Sequence, residues 1–474
     1  MVIKYGVPEK HINLQGGWPT PRLHPSEELG KAAARVFSSP DIDQKLRYGA
    51  GQGDATLRSY IASWLTDEYR PAAGPISPGR ILVSNGASNG LATILQKFAD
   101  PSPGQTRTIW MVEPTYHLAA AIFRDAGFIG GGRIRAAPEG PNGGVDLAFL
   151  RAALEESERR AGEREDGAQV PGTKKGPGNG YPKIYRHILY MVPTFSNPSG
   201  RTMAHGDRVE LVRLAREFDV LLVTDDVYDV LQWSPGRRGD DCRQNHCCCG
   251  EEESSSDQRL PLPPRLVDID RLLPGQSPFG NAVSNGSFSK IVAPGTRVGW
   301  MEGSPDFVAT LTRVAATSSG GNQAHMSSLI INELFASGAL QQHLHAVLIP
   351  TYQKRYHTLV SAVRHHLYPL GVRIAADTSP SSNSIPAGGF FLYILFPGQG
   401  PAIDDIYSLA LERFNLKIAP GRIFTVADDA SESPSRPTAY VSGARLCWAW
   451  HEEDELAEGI ERLAETLKIA NSGR

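Results

Sequence analysis

Ser287-Phe288-Ser289-Lys290-Ile291-Val292-Ala293-Pro294-Gly295-Thr296-Arg297 sets a lysine seven residues ahead of an arginine, with a serine on each side of Phe288. An amine that forms an imine with a carbonyl compound must be nucleophilic near neutral pH, and a phosphorylated partner must be anchored by hydroxyls and a fixed cation. Lys290 supplies the amine; Ser287, Ser289 and Arg297 supply the anchor. By itself the run reads equally well as a solvated turn with a surface lysine, so the decision falls to the rest of the chain.

Upstream, the apolar run Val220-Leu221-Leu222-Val223 leads into Asp225-Asp226-Val227-Tyr228. A buried-strand pattern ending in acid-x-x-Tyr puts a carboxylate and a phenol at the carboxyl end of a strand, where ligands collect in open α/β sheets. A second strand pattern, Leu189-Tyr190-Met191-Val192, runs into the loop Pro193-Thr194-Phe195-Ser196-Asn197-Pro198-Ser199-Gly200 and presents the Asn197 amide at the same edge. A third, Arg80-Ile81-Leu82-Val83-Ser84, gives way to Asn85-Gly86-Ala87-Ser88-Asn89-Gly90 and then to the helical Leu91-Ala92-Thr93-Ile94-Leu95. Strand, glycine turn and helix start make a phosphate cradle of backbone N–H groups at Gly86, Ala87 and Ser88.

Taken together, these residues resemble the fold-type I pyridoxal-phosphate enzymes, within them the class I/II aminotransferases, and most closely the branch of α-aminoadipate, kynurenine and aromatic aminotransferases. The likeness begins at the glycine-glycine-x-proline loop Gly16-Gly17-Trp18-Pro19. It continues from Tyr48 by way of Gly53 to Leu57-Arg58, then through Glu113-Pro114-Thr115-Tyr116, Asn197-Pro198, Asp225-x-x-Tyr228, Ser287-x-Ser289-Lys290 and Arg297. It ends with Gly388-Gly389-Phe390-Phe391, Pro420-Gly421-Arg422-x-Phe424 and Arg445, so the ordered motifs span nearly the whole chain.

The resemblance implies an α/β fold of fold type I: a large, mostly parallel α/β/α sheet domain and a smaller α+β domain built from both termini. It implies pyridoxal 5'-phosphate bound as an aldimine on Lys290, which later moves the proton between the substrate α-carbon and the cofactor. Asp225 is then the carboxylate that keeps the ring nitrogen protonated. Tyr228 and Asn197 bond the phenolate oxygen, and Tyr116 stacks on the ring. Arg445, with Asn197 and the loop at Gly17, takes the substrate, because a guanidinium fork matches an α-carboxylate. Tyr48 is expected to reach the cofactor phosphate of a neighbouring subunit, making a homodimer with shared sites. At the cradle the chain departs from the branch: Ala87 stands where a serine is common and Ser88 where a longer amide is common, so the phosphate must lean more on Ser287, Ser289 and Arg297.

The expected activity is a transaminase, moving an amino group between an L-amino acid and a 2-oxo acid. The same scaffold also hosts lyases of the aminocyclopropane-carboxylate synthase type and other elimination or replacement enzymes, and the sequence leaves these open. A cofactor-binding module without catalysis would have no use for Arg445. Arg22 offers a selector for acidic side chains, against the plainer reading of a solvated loop arginine.

Composition agrees. A chain of 474 residues, 41% hydrophobic and 21% charged, is long enough for two domains. A formal charge of −3 gives no footprint for nucleic acid or an anionic membrane. No apolar run is long enough to span a bilayer, and no apolar stretch follows Lys4 as a signal peptide requires, so the cytoplasm is the expected location. Fifteen residues precede Gly16, which leaves room for a short lid and none for a winged-helix DNA-binding domain.

Domain boundaries are expected at 46–305 for the large cofactor-binding part, and at 1–45 with 306–474 for the smaller, closing part. In the latter, helices are predicted at Ser327–Leu340, His345–Leu367 and Asp454–Ile469, and strands at Gly389–Phe396, Leu416–Ala419 and Ala439–Trp448. Two insertions, 155–181 and 234–264, are polar or rich in Gly and Pro and read as loops. The second holds Cys242, Cys247, Cys248 and Cys249 beside His246. Three adjacent cysteines cannot all face one tetrahedral centre, so no metal is expected there. Cys447 reads as a small buried hydrophobe.

Overall fold

Asp225 ends a strand, Val220–Asp225, whose first five residues are all buried. Such a strand needs cover on both sides, which a parallel sheet flanked by helices provides. The computed structural model describes residues 7–164, 174, 180–234, 261–378, 386–398, 400–426 and 439–472. Among them the central sheet has seven strands: β1 (Ile81–Ser84), β2 (Thr108–Glu113), β3 (Ile134–Pro138), β4 (His187–Met191), β5 (Val220–Asp225), β6 (Ala282–Ser287) and β7 (Gly299–Glu302). Their spatial order is β1-β7-β6-β5-β4-β2-β3. All neighbours are parallel except β7, which runs against both β1 and β6.

The two-residue period of the strands sorts their side chains into two cores. Ile109, Ile188, Leu221 and Val283 meet Leu91, Ile94, Leu95 and Phe98 of the helix Ala87–Phe98, together with Phe123 and Phe307. One residue along, Trp110, Leu189 and Leu222 face the other way, onto Leu150 and Leu154 of the helix Leu147–Arg164 and Leu211, Val212 and Leu214 of His205–Glu217. The carboxyl ends of β4, β5 and β6 and the start of the helix Ala87–Phe98 share one edge, and the site forms there.

A second sheet combines β8 (Arg373–Ile374), β9 (Phe391–Leu395), β10 (Ala419–Pro420) and β11 (Gly443–Cys447) in the order β8-β9-β11-β10, all antiparallel. Near the start of the chain, Ile12–Asn13 pairs in parallel with Leu416–Lys417, and Gly459 of the last helix, Glu453–Ser472, lies against Ile12 and Leu14. Both ends of the chain thus meet in one layer. No described helix is long and apolar enough to cross a membrane.

Several expected elements take other bounds. The stretch Leu416–Ala419 is two short strands with different partners, Leu416–Lys417 on Ile12–Asn13 and β10 on β11. The first residues of Ala439–Trp448 form a tight turn, Ala439–Ser442, before β11. Helix Ser327–Leu340 is broken: His325–Ala336 stops ahead of Gly338, whose φ of 72° admits the left-handed turn that starts Ala339–His343. The larger correction concerns the insertion at 155–181. Its first ten residues continue the helix Leu147–Arg164. Glu156 pairs with Arg159 at 2.7 Å and Arg160 at 2.6 Å, and Glu158 ties the helix to Arg107 and Arg186, so ion pairs replace apolar burial as its support. Lys174, also placed in that loop, donates from Nζ to Gln96 O at 2.7 Å and Ala99 O at 2.6 Å, at the end of the helix Ala87–Phe98. Most of the insertion at 234–264, with the cysteine cluster Cys242–Cys249 and His246, lies outside the described residues.

Candidate active site

Lys290 closes a short turn, Phe288–Lys290, directly after β6. Its Nζ donates to the carbonyl of Gly17 at 2.8 Å. Burial, aided by the cations of Arg445 and Arg297 and opposed by Cys447 and Asp225, lowers the ammonium from 10.5 to about 8. An amine with that value is neutral in roughly one molecule in ten at pH 7.

Asp225 stands at the tip of β5. Its Oδ2 accepts a hydrogen bond from the Tyr190 hydroxyl at 2.8 Å, while Oδ1 is buried with no protein partner. Burial lifts this carboxyl from 3.8 to about 6 against the pull of Tyr190, with the neighbouring Asp226 adding to the rise. Asp226 turns away from the cleft and accepts from Thr224 Oγ1 at 2.7 Å. Three residues after Asp225, Tyr228 is buried against Phe390 and Phe391, with ring centroids 5.4 and 5.6 Å away.

Arg445, on β11, crosses from the second sheet to the same place. Its Nη1 donates to Asn197 Oδ1 at 2.6 Å and its Nη2 to Gln15 O at 2.5 Å. The guanidinium lies over the rings of Phe391 at 4.1 Å and Phe424 at 4.9 Å, a stack that fixes its plane. Gly17 packs closely here: a Cβ would stand 2.9 Å from Phe391 Cζ, so Phe391 would have to shift. The Asn197 loop is clamped from beneath by Arg208, which is fully buried and donates to Pro193 O, Thr194 Oγ1 and Met203 O, each at 2.9 Å.

The cradle forms where β1 meets the helix Ala87–Phe98. Gly86, at φ 80°, turns the chain so that the first amides of the helix, at Ala87 and Ser88, border the cleft. A Cβ on Gly86 would lie 2.4 Å from Arg297 Nη2. Arg297 sits in the left-handed region at φ 51°, a placement bulky residues hold under strain at functional sites. Its Nη1 reaches Ser289 Oγ at 3.5 Å and its Nη2 reaches Asn85 O at 3.3 Å. Ser287 Oγ lies 2.9 Å from Ser289 Oγ. The cation and hydroxyls thus face the helix N-terminus, as an anion would require.

Lys290, Asp225, Tyr228, Asn197, Arg445, Gly17, Ala87, Ser88, Ser287, Ser289, Arg297 and the half-buried Tyr116 all line one cleft of about 440 Å³. Tyr48 is apart from it. Its segment is braced where Gly49 presses on His325, and the ring is 87% exposed, so within one chain it faces solvent. Arg22 is not at the cleft either; its Nη1 lies 3.6 Å from Glu452. Four roles escape a reading of the sequence, two of them at residues, Tyr190 and Phe391, whose segments it singles out. Gln15 acts through its backbone and Phe391 as a stacking plate. Arg208 sits beneath the loop, and Tyr190 looks like one more residue of an apolar strand. The one available signal was that a phenol in such a strand needs a polar partner.

The family described as aminotransferase class I and II matches residues 10–463. An uncharacterized protein of Saccharomyces cerevisiae is 32% identical over 475 residues, covering 97% of each chain. An aromatic-amino-acid aminotransferase of Thermococcus litoralis is 28% identical over 463 residues, covering 96% of this chain and 88% of its own. Among solved structures, the multiple substrate aminotransferase of Thermococcus profundus superposes with a TM-score of 0.70 at 25% identity, covering 98% of this chain and 93% of that one.

Proposed function

The chain belongs to the aminotransferase class I and II family, and on that premise we propose that it passes the amino group of an aromatic L-amino acid to a 2-oxo acid, using pyridoxal 5'-phosphate held at Lys290. The observation that carries this reading is the convergence of the Lys290 amine, the unpartnered Asp225 Oδ1 and the Arg445–Asn197 pair in one cleft. These residues fit the cofactor. Asp225 Oδ1 lacks the donor that a buried carboxylate requires, and the ring N–H of the cofactor would supply it. The amides after Gly86, with Ser287, Ser289 and Arg297, fit a phosphate.

When bound, the cofactor supplies an electron sink for the negative charge left at the substrate α-carbon. The protein does the rest. Arg445 binds the α-carboxylate through its two Nη groups, and Asn197, already bonded to it, orients the fork. Lys290 Nζ takes the α-proton and returns one, a task suited to an amine lowered to about 8. With the cofactor bound, Asn197 and Tyr228 would hydrogen-bond its phenolate oxygen, Tyr116 would stack on its ring, and Asp225 would keep its ring nitrogen protonated. Closure of 1–45 and 306–474 over 46–305 excludes water from these steps. The apolar wall of Trp18, Leu118, Ile122 and Ile423 supports an aromatic donor, as does the likeness to the Thermococcus litoralis enzyme. The working unit is a homodimer in which the exposed Tyr48 of each copy reaches the phosphate of the other.

Single-turnover mixing of the loaded protein with a panel of L-amino acids tests the proposal. Aromatic donors should give pyridoxamine phosphate and one equivalent of 2-oxo acid, faster than acidic or branched donors. Ammonia release with the original spectrum restored would mean elimination and would refute transamination. A preference for acidic donors would refute the side-chain assignment alone.

A further inference from the structure

Tyr190 and Asp225 stand on adjacent parallel strands, where Tyr190 pairs in register with Val223. Asp225 lies two residues beyond Val223, so it shares the face of Tyr190, and the phenol reaches across to its carboxylate. Only 1% of Tyr190 is exposed, and its ring packs edge-on against Phe123 at 6.0 Å. The hydroxyl therefore has a fixed position and one job. Burial, reinforced by the charge of Asp225, holds the phenol well above its ordinary value, so it stays protonated and can only donate to the carboxylate.

The other groups around the carboxylate act unequally. Asp226 repels the charge and Lys290 attracts it, while burial disfavours it most. We propose that Tyr190 is a positioning residue: by bonding Oδ2 it keeps Asp225 ionised and leaves Oδ1 for the pyridine nitrogen of the cofactor, so that the one proton in that contact stays on nitrogen. Relative basicity decides where that proton sits. A carboxylate that already accepts a hydrogen bond is a weaker base toward a second donor. Without the phenol, Asp225 gains basicity and the shared proton moves toward oxygen, leaving a neutral ring that withdraws electrons less well. The inference rests on the placement of Asp225 proposed above.

Tyr190→Phe keeps the ring and its packing on Phe123 and removes only the donor. The holoenzyme, loaded with cofactor labelled with ¹⁵N in the ring, is compared with Tyr190→Phe, Asp225→Asn and the double variant by ¹⁵N NMR and by single-turnover kinetics. The expected result is a ring-nitrogen resonance displaced toward the unprotonated position in Tyr190→Phe, and α-proton removal slowed about tenfold or more. In the Asp225→Asn background, Tyr190→Phe should change neither readout further. An unmoved resonance in Tyr190→Phe, beside a displaced one in Asp225→Asn, overturns the role of Tyr190 alone. Equal losses in both backgrounds overturn it too, because the phenol then acts only through packing. An unmoved resonance in Asp225→Asn overturns the placement of the ring itself.

Discussion

Replacing Asp225 with Asn should make the cofactor-free protein more stable while removing its activity. Burial lifts the carboxyl from 3.8 to about 6 in the folded chain. The folded state therefore holds on to a proton that the unfolded chain releases between those values, and stability falls as pH rises through that window. Above pH 6 the handicap is complete; well below pH 4 it is absent. At 1.36 kcal/mol for each tenfold change, the full handicap is about 3 kcal/mol at pH 7 and about half that at pH 5. The residue as a whole is only half-buried, and its charge also attracts Lys290. Both reduce the gain, so an increase of about 1–3 kcal/mol is expected at pH 7. Asparagine retains an acceptor for the Tyr190 hydroxyl, so no new unsatisfied group arises there. Urea unfolding of the two cofactor-free proteins, at one protein concentration and at pH 5, 6 and 7, measures the difference. Adding the cofactor should stabilise the native protein more than the variant, because its ring cation relieves the same charge. A variant that is less stable than the native protein at pH 7, or a difference that does not grow from pH 5 to pH 7, would refute the reasoning.

Arg445→Lys keeps a charge but loses the fork that bonds Asn197 at 2.6 Å and Gln15 at 2.5 Å. kcat/KM for amino acids should fall about tenfold to a hundredfold, with the spectrum of the bound cofactor unchanged; steady-state kinetics and absorbance decide. Gly86→Ala places a Cβ 2.4 Å from Arg297 Nη2 in a backbone at φ 80°, so cofactor affinity should drop about tenfold or more, as titration of the cofactor-free protein would show. Because burial lowers Lys290 to about 8, the rate at which the cofactor-free protein captures pyridoxal phosphate should climb with pH and level off just above 8. A rate still climbing at the ordinary lysine value of 10.5 would contradict that assignment.

Much of this architecture was legible because it depends on short-range chemistry. The apolar run before Asp225, the glycine at position 86 ahead of a helix, and the serines beside Lys290 each show their local geometry through neighbours in the chain, and the apolar runs at β1, β4 and β5 mark them as strands of a covered sheet. Helix Leu147–Arg164 ran past its expected end because, besides the local pairs of Glu156 with Arg159 and Arg160, Glu158 is tied to Arg107 and Arg186, contacts that no local pattern records. Arg22, which local sequence leaves as either a solvated loop arginine or a selector, is largely exposed and lies beside Glu452. The contacts that turn these groups into a site span long stretches of chain: Tyr190 to Asp225, Arg208 beneath Asn197, Arg445 on Gln15 and Asn197. Sequence alone determined which reactive groups the protein owns and the elements that carry them. Tertiary structure decided which oxygen of Asp225 is left free and how far Lys290 is lowered, because desolvation and hydrogen bonding act through space and depend on which strands become neighbours.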